Sequence, residues 1–457
     1  MRKIHSLSAF FLALLLVVGL SAPALAEQEM SVTATAAILV DADYDQVLWE
    51  YQADERRYPA SITKVMTGLL TVEAVDRGEL SLDDMVELGG ELYTGIGSGG
   101  SSVGLKIGEI LSVRDLLNCA LMPSANEACN GLAMAVAGSI SAFVVKMNQR
   151  AQELGMTNTH FANSHGYHDD QHYTTARDIA RMCQEAMKHP EFRKVVSSTS
   201  YTVPDTYNAA GERVHASFTV HDTNALISNL RTGRSDLLYQ YAVGIKTGST
   251  PEAGYCLASA AEKKGRTMIA VILGGNYWKS GGVFVEDNYF SESKRLLEYG
   301  FNAFERKTIL NEIEPIATLP VELCEQQNYV TVQPAGSLEA TLLKTLDPAE
   351  FEREVVLPEG SLVAPIQKGD VLGTITVTHD GQNYGTVDLI ASTSLAFSQR
   401  LYILSRIRYW FDQLWVKLVL LGVILLLLLL AARRALLGPR SSYKSSRRSG
   451  GYRGRRR

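Results

Sequence analysis

The chain has 457 residues, 46% hydrophobic and 20% charged, so it carries enough apolar material for a sizeable core and for two domains. Its net charge of −5 singles out no class of partner, because the charges are unevenly placed: residues 433–457 hold ten lysines and arginines and no acid, which leaves the rest clearly acidic. Five cysteines (Cys119, Cys129, Cys183, Cys256 and Cys324) are odd in number and scattered, with no disulfide framework or metal-knuckle spacing, and they read as small buried hydrophobes.

In chain order, residues 1–26 have a basic start (Arg2, Lys3), an apolar run and an Ala-Leu-Ala ending at Ala26, the pattern of a signal peptide cleaved there. Helical and strand patterns then alternate up to about residue 305. AAILVDADYDQVLWEY (36–51) reads as two strands around a turn at Asp43–Asp45. SVRDLLNCALMPSANEACNGLAMAVA reads as a helix, a break at Met122-Pro123 and a second helix, SISAFVVKMNQRAQELG as a helix ending at Gly155, and RTMIAVILGG as a strand. After residue 305 the texture changes to short alternating runs, with Asp380-Gly381 between two of them as a hairpin signal, so 306–400 reads as a small all-β module.

Near the C-terminus, Leu404, Ile407, Phe411 and Leu414 recur at helical spacing against Arg406, Arg408, Asp412 and Lys417. Two readings stand open: an interfacial amphipathic helix, or the wet end of one continuous helix. Leu414–Ala432 follows, 19 residues long. At ~1.5 Å per residue it reaches roughly 28 Å, close to the bilayer core. Lys417 can snorkel, Trp410 and Trp415 suit the interface, and the cations behind read as a positive-inside flank. Anionic lipid accounts for that tail, and no nucleic-acid partner is expected. The expected organisation is a signal peptide (1–26), a main domain (27–305), a β-rich domain (306–400), an amphipathic juxtamembrane segment (401–413), a transmembrane helix (414–432) and a basic cytoplasmic tail (433–457), with the main domain outside.

The chemistry gathers in YPASITKVMT (58–67), where Ser61 and Lys64 share a helix face behind Pro59. They are either an exposed polar stripe or a nucleophile with its own base. At a helix start the serine's own N–H is available to a developing oxyanion, and a desolvated lysine can accept a proton. Ser-x-x-Lys alone is weak. It is followed by Ser124-Ala125-Asn126 at the break between two helices and by Lys246-Thr247-Gly248, with Ser249, on a strand edge. Together, in this order, the three motifs form a specific set that places a nucleophilic serine, a lysine base and a second Ser–Lys pair around one pocket.

With these motifs, and with blocks such as ERRYPASITKVMT, SSVGLKIGEILSVRDLLNCALMPSANEACNGLA, HFANSHGYHDDQHYTTARDIARM and VGIKTGSTPEAGYCLASA, the chain resembles the serine D-alanyl-D-alanine carboxypeptidases, the low-molecular-mass penicillin-binding proteins, from about residue 33 to 400. The resemblance implies an α+β fold: a penicillin-recognising serine transpeptidase/β-lactamase-like domain, then a β-rich domain and a C-terminal membrane anchor. It implies acyl transfer without metal or cofactor, on peptidoglycan stem peptides ending in D-Ala-D-Ala, with β-lactams as inhibitors. Ser61 would be the nucleophile, Lys64 its base and Ser124 a proton relay beside Lys246. Asn126 would bind the substrate backbone, Lys246 and Thr247 the terminal carboxylate, while Gly248 permits close approach and Ser249 supplies a second oxyanion N–H. Burial beside Lys246, near a helix N-terminus, is expected to lower the pKa of Lys64.

Some family members carry an arginine after the glycine-rich strand, where this chain offers only Lys279. His160, His165, His168 and His172 lie within thirteen residues, so a metal site is the sharper reading and a loop beside the cleft the plainer one. We expect no metal, and we expect Asp178 to be a structural hydrogen-bond acceptor. The rivals are a β-lactamase-like hydrolase, which would need a deacylating base in a loop not seen between Asn126 and Lys246, and a non-enzymatic cell-wall scaffold, which need not keep Ser61, Lys64, Ser124 and Lys246.

Overall fold

The computed structural model describes residues 30–275, 277–280 and 283–437, without the side chains of 277–280, 283–287 and 437. The expected signal peptide and most of the basic tail lie outside the described residues, as does the side chain of Lys279. The chain divides into two compact units. The first runs to Thr308 and takes in Glu339–Glu350; the second comprises Ile309–Leu338 and the chain from Phe351 onward.

The first unit is built on five strands: β1 (Ala36–Asp41), β2 (Gln46–Tyr51), β3 (Ala242–Thr250), β4 (Gly254–Lys263) and β5 (Arg266–Gly275), in the antiparallel order β2-β1-β5-β4-β3. Both faces are covered, which is why β1, AAILVD, is buried at every position instead of alternating. Ile38 and Val40, with Ile269 and Val271 of β5, face a large cluster containing helices α1 (Lys64–Asp76), α2 (Val113–Leu121), α3 (Asn126–Ala137), α4 (Ile140–Glu153), α5 (Ala176–Ala186) and α6 (Pro190–Val196). Ala37 and Leu39, with Ala270 and Ile272, face α7 (Asn288–Ala303) through Leu296, Leu297 and Phe301.

Helix α1 is the axis of the helical cluster. It is apolar nearly all round, and residues Lys64–Val72 are buried, as a helix with no polar face must be. Gly68 lets α6 pack closely: a Cβ there would stand 2.9 Å from the Phe192 ring. The break between α2 and α3 falls at Met122–Ala125, as Pro123 demands, and Gly138 closes α3 in the left-handed conformation.

The second unit carries β6 (Ala317–Glu322), β7 (Tyr329–Pro334), β8 (Glu352–Val356), β9 (Leu362–Val363), β10 (Val371–His379) and β11 (Gln382–Ala391) in the order β8-β10-β11-β7-β6-β9. The Asp380-Gly381 hairpin forms, with positive φ at both residues. Val330, Val332, Ile375, Val377, Leu389 and Ala391 are fully buried at alternate positions. The chain then enters α8 (Gln399–Asp412) and α9 (Leu414–Leu437). They are not one helix: Gln413 between them is extended, with ψ 132°. α8 is also less two-faced than the spacing predicts, because Arg408 sits one turn from Leu404 and Tyr402, Ile403, Tyr409 and Trp410 spread apolar surface around it. α9 is long and apolar enough to cross a membrane, and Lys417 in its first turn pairs with Asp412 at 3.2 Å.

Phe192 is fully buried against Gly68. Phe192→Ala is therefore expected to lower stability by about 3–5 kcal/mol, read from urea-denaturation midpoints of the purified protein.

Candidate active site

Ser61 precedes α1 in a 3₁₀ turn, Ala60–Thr63, rather than in the α-helix itself, and Lys64 is the first α-helical residue. Ala60 takes a left-handed φ of 47°, unfavourable for a residue with a Cβ. The surroundings hold it there. The His172 ring bonds Thr63 Oγ1 at 2.8 Å, and that hydroxyl donates to the Ala60 carbonyl at 2.8 Å. Gly166, with φ +83°, lies so close to the Ala60 carbonyl that no Cβ fits between them.

The Lys64 amine is fully buried and has three neighbours: Ser61 Oγ at 2.9 Å, Asn126 Oδ1 at 2.7 Å and the His165 carbonyl at 2.6 Å. Two of these are carbonyl oxygens, which only accept. A neutral amine has two hydrogens, so both are taken, and its lone pair is left facing the Ser61 hydroxyl. Burial lowers the Lys64 pKa to about 8, while the Cys129 thiol and the Glu127 carboxylate pull it back up. The lowering and its main cause, burial, are as expected; Lys246 is not among the contributors to it.

Ser124 lies in the break between α2 and α3 at a left-handed φ of 72°, and its buried Oγ has no hydrogen-bond partner among the described residues. The first turns of α3 tie down the glycine-rich loop beside the site. Asn126 N donates to the Ser101 carbonyl at 2.9 Å, Glu127 Oε1 accepts from Ser102 Oγ, Val103 N and Gly104 N, and Asn130 Nδ2 donates to the carbonyls of Leu92 and Thr94.

Strand β3 supplies the opposite wall. A Cβ on Gly248 would stand 3.0 Å from Ser61 N, so glycine lets the strand run this close to the turn without displacing its backbone. Ser61, Ser124, Thr247, Gly248 and Ser249 line one cavity of about 470 Å³. Lys246 is not among its lining residues: it is fully buried, and among the described residues its amine bonds the Thr247 carbonyl alone, at 3.2 Å. The cations that do line the cavity are Arg231 and Arg234, which the sequence analysis missed. No motif marks them; they stand in a polar stretch between two recognisable segments. Arg234 is held by Asp236. Asp222 and Thr223 were also missed. Thr223 Oγ1 meets Thr247 Oγ1 at 2.6 Å, and Asp222 is buried with its carboxyl pushed up by desolvation.

Three of the four histidines of residues 160–172 have separate hydrogen-bond partners. His160 Nδ1 meets the Gln171 carbonyl, His165 Nδ1 accepts from Tyr167 N, and His172 braces Thr63. Among the described residues, the acids and imidazole near enough to share an ion are Glu73, Glu185 and His189, and Arg150 already bridges the two glutamates. Asp178 accepts from Asn158 N and Thr159 Oγ1, the structural part expected of it. All five cysteines are buried free thiols.

A five-stranded antiparallel sheet between a helical cluster and one long helix, with Ser-x-x-Lys opposite its edge strand, is the architecture of the penicillin-recognising serine peptidases. Residues 23–276 match the D-alanyl-D-alanine carboxypeptidase family, peptidase S11, and residues 304–396 match the penicillin-binding protein 5 C-terminal domain. The chain belongs to that carboxypeptidase family and is a serine-type hydrolase. It is 30% identical over 354 residues to the D-alanyl-D-alanine carboxypeptidase DacF of Bacillus subtilis, covering 78% of this chain and 84% of that one. It is 31% identical over 366 residues to DacA of Escherichia coli K12, covering 77% and 81%. Penicillin binding protein 5 from Haemophilus influenzae superposes with a TM-score of 0.61 at 26% identity, over 80% of this chain and 98% of that one.

Burial is the largest cause holding the pKa of both His165 and His172 to about 3 from the ordinary 6.5. In the unfolded chain both protonate near 6.5, so between those values the unfolded state binds more protons and stability falls as pH drops. Urea midpoints are expected to decline below pH 6.5 by up to about 1.4 kcal/mol per pH unit for each histidine. His172→Gln should flatten that decline.

Proposed function

We propose that the chain removes the terminal D-alanine from peptidoglycan stem peptides ending in D-Ala-D-Ala, through an acyl-enzyme on Ser61, and that penicillin acylates the same serine. The observation that carries this reading is the buried Lys64 amine, 2.9 Å from Ser61 Oγ with the Asn126 and His165 carbonyl oxygens as its other partners; in its neutral form both hydrogens go to those carbonyls and the lone pair to the Ser61 hydroxyl. The Ser61 proton passes to Lys64 as Oγ bonds the carbonyl carbon between the two D-alanines. The oxyanion takes the N–H groups of Ser61 and Ser249. As the C–N bond breaks, the leaving amine takes a proton through the unpartnered Ser124 hydroxyl, with charged Lys246 behind it. Water then cleaves the ester and regenerates Ser61. Asn126 keeps its Nδ2 for the substrate backbone. The terminal carboxylate is met by Thr247 and by the Arg231 guanidinium, since Lys246 is fully buried and does not line the cavity.

The same proposal makes α9 a single membrane anchor, with α8 at the outer interface, the catalytic unit outside and the basic tail facing anionic lipid in the cytoplasm. It takes the domain limits to be those expected from the sequence, with an export signal over residues 1–26. Apolar length, the exposed Trp410 and Trp415, and the ten cations of residues 433–457 support it.

Ser61→Ala is expected to abolish both D-alanine release and labelling by fluorescent penicillin, a loss of several orders of magnitude in rate. Covalent label on the purified variant would refute the assignment. Lys64→Arg keeps the charge without a usable lone pair, and should bind β-lactam yet acylate very slowly. Near-normal acylation would mean that the base lies elsewhere. A chain trimmed to residues 27–400 should be soluble and release D-alanine from a small diacyl-D-Ala-D-Ala peptide; a folded but inactive product would assign the anchor a catalytic part.

A further inference from the structure

The cavity at Ser61 continues past the reacting serine to a second wall. Strand β3 is the edge of the sheet, and its side chains alternate between the two faces. Lys246 and Gly248 pair with Ala258 and Cys256 of β4, which pack in the helical cluster, so these two belong to the face that meets the Ser61 turn. Thr247 and Ser249 pair with Leu257 and Tyr255, which pack with α7, so their side chains belong to the opposite face. The cavity of about 470 Å³ therefore passes over the edge of β3, from Ser61 and Ser124 to Tyr255, Tyr289 and Phe290. Resting on the acyl-transfer reading above, we infer that this second wall receives the side chain of the leaving residue, and that the protein takes stem peptides ending in D-Ala followed by a large aromatic D-amino acid in preference to D-Ala-D-Ala.

The direction follows from the carboxylate. In that reading Thr247 and Arg231 meet the terminal carboxylate, and the Thr247 side chain is on the α7 face, its hydroxyl 2.6 Å from Thr223 Oγ1. The residue that carries this carboxylate is the one that leaves. Its side chain thus starts on the side of the aromatic wall, while the acyl part stays at Ser61. A terminal alanine brings only a methyl group to this space, yet the cavity lies within the range of ~300–1,000 Å³ that encloses whole small ligands.

The wall is firmly built. The Tyr255 and Tyr289 rings stack with centroids 5.2 Å apart and 20° between their planes, and the Tyr289 and Phe290 centroids are 4.2 Å apart. Tyr289 and Phe290 are buried, so the rings are held before anything binds. The rest of the lining comes from the loop 226–239. Tyr239 N closes it onto the Leu226 carbonyl at 2.8 Å, and Lys294 Nζ of α7 pins it through the carbonyls of Asp236 and Leu238. This loop carries Arg234, whose guanidinium is held by Asp236. A flat aromatic side chain can pack on both the rings and the guanidinium plane, whereas an acidic one finds the Arg234 charge already answered. The chemistry is unchanged: Ser61 Oγ bonds the D-alanine carbonyl carbon, the C–N bond to the aromatic residue breaks, its amine takes the proton, and water then frees Ser61.

The test uses the full-length protein in detergent and two diacyl tripeptides, one ending in D-Ala-D-Ala and one in D-Ala-D-Phe, with the freed amino acid measured by chromatography. The kcat/KM for D-phenylalanine release should exceed that for D-alanine about tenfold, as for an apolar pocket newly filled, and mainly through KM. Tyr255→Ser should bring the ratio of the two kcat/KM values close to one, whatever it does to each, while Tyr255→Phe, which keeps the ring, should preserve it. Tyr289→Leu gives the same reading if Tyr255→Ser does not fold. A wild type whose D-phenylalanine release does not exceed its D-alanine release overturns the inference alone, as does a ratio that survives the loss of either ring. A wild type that releases neither residue, or that fluorescent penicillin does not label, overturns the acyl-transfer reading and the inference with it.

Discussion

The amine of Lys64 has no contact with water, and everything else about the site follows from how its hydrogens are disposed. An exposed lysine is a cation at neutral pH and cannot take a proton. Sealed in the cluster between α1, α3 and the loop at His165, it gains little from being charged, and the acceptors from Asn126 and His165 hold it in one orientation toward Ser61. Those partners lie far apart in the sequence, so the geometry depends on the whole first unit being folded.

The surrounding architecture meets that demand at specific points. α1 has no wet face, so its first residue is buried without the helix having to bend. Gly68 and Gly248 let neighbouring elements approach within distances that a methyl group would block. The chain from His172 through Thr63 to the Ala60 carbonyl offsets the left-handed strain just before Ser61. Fixed polar contacts of this kind cost little reorganisation when charge develops on the substrate.

Much of this was legible from the sequence. Pro59, the i,i+3 spacing of Ser61 and Lys64, the Met122-Pro123 break and the Asp380-Gly381 turn are local signals, and each has a structural counterpart at the expected place. What was not legible is set by tertiary context. The left-handed φ of Ala60 and Ser124 has no glycine to announce it. Arg231 and Asp222 stand among ordinary polar residues, and only the path of the chain past β3 brings them to the site. The return of Glu339–Glu350 to the first unit has no change of composition to mark it. The break at Gln413 lies between two helical patterns that could equally have fused.

The strand order of the first unit bears on how the protein comes to be made. β1 is an interior strand whose inner neighbour is β5, from the far end of the unit, so Ala36 pairs with Leu273. During synthesis the β1–β2 hairpin emerges first, and β1, apolar on both faces, must wait until nearly the whole unit has followed. Such distant pairing makes closure of the sheet slow and leaves the early hairpin open to aggregation. The serine turn, which packs against β3, is assembled only at that late stage. A half-made chain thus holds Ser61 and Lys64 without the enclosure that makes them reactive, and chemical competence arrives together with the completed fold.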